Sequence, residues 1–94
     1  MEPPRIYTER PQGAYANLVD LSSNIHDFRL DFGQILGQVA NSLEVRPMVS
    51  IFISPSLAKQ LREMLTEQID HYERSFGLIT TAMPIRPSPS QGVN

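Results

Sequence analysis

Apolar positions in the last third of the chain fall at Leu57, Leu61, Met64, Leu65, Ile69, Tyr72 and Phe76. Steps of three and four residues repeat the 3.6-residue period of an α-helix over about five turns. The opposite side is polar: Lys59, Arg62, Glu63, Thr66, Glu67, Asp70, Glu73 and Arg74. Asp70 and Arg74 stand four apart with the acid first, the favourable order for an ion pair. Ser54-Pro55 supplies a start, a hydroxyl N-cap followed by a proline whose missing N–H costs nothing at the first helical position. Gly77 supplies a stop as a left-handed C-terminal residue. The pattern predicts a helix from Pro55 to Phe76, roughly 33 Å long.

Upstream the period becomes two. In Val45–Ile53, Val49, Ile51 and Ile53 face one way and Met48, Ser50 and Phe52 the other, so both faces are partly apolar. β-branched residues dominate, which predicts a strand. Phe28, Leu30 and Phe32 alternate with Arg29 and Asp31, and Gly33 closes that strand. Tyr15, Val19 and Leu21 alternate less strictly with Ala16, Leu18 and Asp20. Ser22-Ser23-Asn24 is turn chemistry, so Tyr15–Ser23 and His26–Ile35 read as a hairpin. Gly37 to Glu44 reads as a connection of moderate length. There is no internal repeat.

The predicted class is α+β, a three-stranded antiparallel sheet (β-β-β-α) with the long C-terminal amphipathic helix packed on one face. Phe28, Leu30, Phe32, Val49, Ile51 and Ile53 would then meet the helix. Leu18, Met48 and Phe52 would remain on the other face as an oligomer interface, and Phe52→Glu should dissociate the oligomer.

Composition sets the boundaries. Residues 1–13 and 80–94 are proline-rich and poor in apolar residues, so both read as disordered tails around a domain at 14–79. A unit of about 65 residues buries only about 60% of its chain surface, which favours help from a partner subunit. The chain has no cysteine, which removes disulfides, thiolate metal sites and cysteine nucleophiles together. No apolar run approaches the roughly 18 residues of a membrane span, and the start lacks the apolar stretch of a signal peptide. Cytoplasm is the expected compartment. A net charge of −2 offers no long-range attraction to nucleic acid or anionic lipid.

Four stretches carry a resemblance. They are Tyr15-Ala16-Asn17, Asp31-Phe32-Gly33, the run from Ser54-Pro55 to Gln60-Leu61, and Tyr72-Glu73-Arg74-Ser75-Phe76-Gly77. In order and spacing they resemble the small prokaryotic domain-of-unknown-function family numbered 3467, over roughly Tyr15 to Leu78. The resemblance implies a short cytosolic strand-strand-strand-helix protein and no catalytic residues, with the proline-rich extension an addition to the family core. The export chaperone SecB also joins an antiparallel sheet to a long C-terminal helix, a likeness of fold without a shared motif.

Candidate chemistry is sparse. His26 adjoins Asp27 at a turn, and His71 lies on a charged helix face; neither makes a metal or catalytic set. Asp20, Asp27 and Asp31 fall on the two hairpin strands, as an outward polar face requires. Ser22, Ser23, Ser50 and Ser56 sit in no nucleophile motif, and Gly33 and Gly37 make no phosphate loop. Arg29, Arg46, Lys59 and Arg62 are interspersed with Asp31, Glu44 and Glu63, which blunts a basic patch. No cofactor or metal is expected. The functional expectation is a non-enzymatic homo-oligomeric interaction module that binds itself and another protein through its edge strand, helix face or proline-rich tail. The alternatives are a small nucleic-acid-binding regulator and, by analogy of fold alone, a SecB-like chaperone or adaptor.

Overall fold

The computed structural model describes residues 2–81. The expected C-terminal tail lies almost wholly outside them. The element order is β1 (Leu18–Ser23), β2 (Phe28–Val39), β3 (Ser42–Ile53) and α1 (Pro55–Phe76). The three strands form one antiparallel sheet in sequence order, and the predicted α+β class and helix bounds stand. Residues 2–16 form no helix or strand.

The first turn works as its residues predict. The Asn24 side-chain oxygen accepts from the His26 and Asp27 amides at 2.7 and 3.0 Å, and the Asn24 amide donates to the Asp27 carbonyl. The second turn differs from expectation. Gly37–Glu44 is no loop: β2 and β3 each run twelve residues and are joined by Ala40 and Asn41 alone. Ala40 takes a φ of 54° there, a conformation that glycine adopts more readily than alanine. Because β1 pairs only with Phe28–Gly33, the distal half of the β2–β3 hairpin is a two-stranded ribbon.

Gly33 explains where the third strand stops. It is the one buried residue among those described. The β2–β3 register shifts between Phe32 and Gly33. A Cβ at Gly33 would stand 2.8 Å from a Val45 methyl and 3.1 Å from the Arg46 carbonyl oxygen. Asn17 closes the ladder beside it: its amide donates to the Gly33 carbonyl at 3.1 Å, and its side-chain oxygen accepts from the Ile35 amide at 2.8 Å. Asn17 thus replaces strand pairing at the point where β1 begins, three residues after Tyr15.

The helix ends are also closed locally. Ser54 is extended (φ −69°, ψ 155°), its hydroxyl accepts from the Leu57 amide at 3.1 Å, and its carbonyl accepts from Ala58 at 2.9 Å. At the far end Gly77 takes φ 101° and donates to the Glu73 carbonyl, while the Glu73 carboxylate accepts from the Ile79 amide at 2.9 Å. The ion pairs among the described residues are Arg5–Glu2, Arg29–Asp31 and Arg62–Glu63, and the anticipated Asp70–Arg74 pair is not formed.

One expectation requires correction. The strands pack on one another, but α1 makes no comparable packing with any strand. Along the stripe expected to cover the sheet, Met64 and Leu65 are each 51% exposed and Phe76 is 75% exposed. Among the described residues no hydrophobic side chain is buried. The physical reason lies in the link, since only Ser54 separates β3 from α1. Strand–helix connections that fold a helix back onto its sheet usually take about 2–6 residues.

Candidate interaction surfaces

The strand register sorts the sheet into two unlike faces. Three cross-strand rungs make the first: Val19, Phe32 and Val49; Leu21, Leu30 and Ile51; Ser23, Phe28 and Ile53. Eight of the nine side chains are apolar. Those of the central strand are half-buried by their neighbours, while Val19, Leu21, Val49 and Ile51 are exposed. Among the described residues nothing covers this face.

The second face is held by its own contacts. Asp20, Asp31 and Ser50 form one rung, and Ser22, Arg29 and Phe52 the next. The Arg29 Nε donates to Asp31 Oδ1 at 3.0 Å, and the Ser50 hydroxyl donates to the same oxygen. The Arg29 guanidinium lies 5.4 Å from the centre of the Phe52 ring, within cation–π range. The Ser50 hydrogen bond, then that of Arg29 and its charge, hold the Asp31 carboxyl below its ordinary value.

Leu18, Met48 and Phe52, the expected interface, all belong to this second face. Leu18 shares a rung with Gly33 and Pro47, and Met48 follows Pro47 at the register shift. Phe52 pairs with Arg29, four residues away along β2, roughly 13 Å. The Arg29–Asp31–Ser50 cluster lies between. The three side chains therefore do not form one continuous apolar patch. A shallow open depression does lie here, lined by Asp31, Pro47, Met48 and Ser50 among others.

The remaining candidates stay apart. His26 and Asp27 occupy the β1–β2 turn, and His71 lies on the helix beside an apolar hollow formed with Ile69, Tyr72, Phe76 and Ile79. Asp20 and Asp31 face each other across β1 and β2, the arrangement closest to a carboxylate pair. Proton donation needs a carboxyl held above its ordinary value, whereas Asp31 is held below it and already accepts two hydrogen bonds. Among the described residues no group of three or more histidines, cysteines or carboxylates could hold a metal ion. Arg29 is engaged by Asp31, which removes it from any basic patch. No helix of the described residues is long and apolar enough to cross a membrane.

The helix presents the second apolar surface. Leu57, Met64, Leu65, Ile69, Tyr72 and Phe76 are all exposed, and Leu61 and Ala58 in the first turns are half-buried. The Tyr72 and Phe76 rings meet at 4.9 Å between centroids. The helical period identifies these side chains, but the expected cover, the chain's own sheet, does not lie on them. The sequence signal for that is the one-residue link between strand and helix at Ser54.

A family model described as "Protein of unknown function (DUF3467)" matches residues 4–81. The match begins well before Tyr15, so it takes in most of the N-terminal segment that reads as a tail. No curated protein and no solved structure matches the chain.

Proposed function

Starting from the fact that this chain belongs to the DUF3467 family of proteins of unknown function, we propose that it is a non-enzymatic, homo-oligomeric protein-interaction module. One observation carries the reading: among the described residues a sheet face and a helix stripe, both apolar, are left open on the same chain. Ten large apolar side chains on the two surfaces are 40–75% exposed, and a stable interface covers about 800 Å² per partner. A monomer seldom leaves a contiguous apolar patch above a few hundred Å².

The interface on this reading is the apolar sheet face and the helix stripe, and Leu18, Met48 and Phe52 contribute at most at its margin. The outer edge of β1 remains for a second protein to pair with by strand addition. The four stretches that carry the family resemblance support a structural role. Asn17 ends a ladder, Gly33 admits a close approach, Ser54-Pro55 starts a helix, and Glu73 with Gly77 ends it. None presents a nucleophile or an acid–base pair. The cytoplasm is the compartment this reading assigns.

Sedimentation of the purified full chain tests it. The expected result is a species at a multiple of 10.6 kDa across the micromolar range. A strict 10.6 kDa monomer at every concentration would remove the proposal.

A further inference from the structure

We infer that two copies of this chain exchange helices, with α1 of each lying on the apolar sheet face of the other. The inference rests on the homo-oligomer reading and specifies its geometry.

The link between β3 and α1 is the first argument. Ser54 is the whole connection, and it is fully committed: its hydroxyl and carbonyl hold the Leu57 and Ala58 amides. Pro55 fixes the first helical φ. To cover its own sheet, α1 would have to reverse over Ile53 within one residue while keeping that cap. Short hinges of this kind favour exchange of an element between copies over its return to the same copy.

The shape of the stripe is the second argument. Leu57, Leu61, Met64, Leu65, Ile69, Tyr72 and Phe76 spread over roughly 140° of the helix circumference, at about 100° per residue. A two-helix coiled coil uses a narrower seam at strict a and d positions. Here the longest such seam, Leu65, Ile69, Tyr72 and Phe76, meets Arg62 one step earlier and leaves Leu57, Leu61 and Met64 outside it. A broad stripe suits a flat apolar face. From Leu57 to Phe76 it runs about 28 Å, longer than the roughly 13 Å that the three apolar rungs span along β2.

Closure is the third argument. Pairing helix to helix would leave the sheet face open, and pairing sheet to sheet would leave the helix stripe open. Exchange about a two-fold axis places the stripe of each copy on the face of the other, so one symmetric contact covers both faces and the part of each stripe that lies over them.

Engineered disulfides test the geometry, because the chain has no cysteine of its own. Ile51→Cys, in the centre of the sheet face, and Leu65→Cys, in the centre of the stripe, are prepared as separate proteins with different tags. They are then unfolded, mixed, refolded and oxidised. The expected product is the mixed disulfide, in excess of either self-linked product. A double variant should likewise link between chains. Predominance of Ile51–Ile51 or Leu65–Leu65 links, or of a link within one chain, overturns the exchange. Sedimentation of the same samples separates the two levels. Dimers without the mixed link refute the exchange alone, and monomers refute the oligomer reading as well. Independently, inserting about six glycine and serine residues before Ser54 gives a connection long enough for return to the same sheet. The apparent mass at low micromolar concentration should halve, and an undiminished dimer overturns the argument from the link.

Discussion

The two faces of one sheet behave as opposites although they are built from the same three strands. On one, Arg29, Asp31, Ser50 and Phe52 meet one another across strands through hydrogen bonds and a cation–π contact, with Phe52 still 60% exposed. On the other, eight apolar side chains line three rungs and have no second layer over them among the described residues. Polar contacts are directional and can close between adjacent strands. Apolar contacts need a second layer, because a single sheet cannot remove its own surface from water. The polar face can therefore make its directional contacts within a single sheet, whereas the apolar face cannot remove itself from water.

Adjacent residues of β3 give the widest separation between the faces. Ile51→Glu places a charge at the centre of the apolar face. It should weaken assembly by about 3 kcal/mol or more, over a hundredfold in the dissociation constant. Phe52→Glu, one residue on, points to the polar face and loses a cation–π contact worth about 0.5–1 kcal/mol. Sedimentation equilibrium of the two variants reads the difference directly. Equal dissociation by both would end the distinction drawn between the faces, and dissociation by Phe52→Glu alone would restore the interface expected at Leu18, Met48 and Phe52.

A smaller effect belongs to the boundary of the sheet. Gly33→Ala sets a methyl against Val45 and the Arg46 carbonyl. One of these is backbone and cannot yield, so the cost should be about 1–3 kcal/mol of stability. Thermal or urea unfolding measures it, and a loss below about 0.5 kcal/mol would show that the strands open easily at this point.

The smallest effect tests the closed face. Asp31 has its carboxyl held below the ordinary value by Ser50 and Arg29. A carboxyl depressed in the folded state stabilises the protein fully above its unfolded value near about 4, and that contribution fades as pH falls through the folded value. The wild type should therefore lose stability below about pH 4 by a component missing in Asp31→Asn. Parallel acid unfolding curves for the two proteins would show that the cluster contributes nothing.

How much of this was legible in the sequence differs from element to element. The helix was readable to the residue because its signals are local: Ser54 and Pro55 at one end, Gly77 at the other, a 3.6-residue period between. The Asn24 turn was readable for the same reason. The β2–β3 turn was not, because Ala40-Asn41 contains no glycine and places an alanine at positive φ. Gly37 and Asn41 then look like a longer loop. The destination of the helix stripe was not readable from periodicity either. Amphipathicity states that a stripe will be covered and is silent about which chain covers it. The expected interface followed from that gap: with the helix assigned to its own sheet, Leu18, Met48 and Phe52 were the apolar residues left over.

The two tight turns described above also set the order of events in time. Every strand pairs with its sequence neighbour across a short connection, and the helix is nucleated at its own Ser54 cap. Nothing in these steps requires distant parts of the chain to find each other, so secondary structure should form in microseconds to milliseconds. Under the proposed exchange of helices, the slow event is an encounter between two already patterned molecules. A newly made chain would then complete its shape at a pace set by how many siblings are nearby, and its abundance would become part of its folding mechanism.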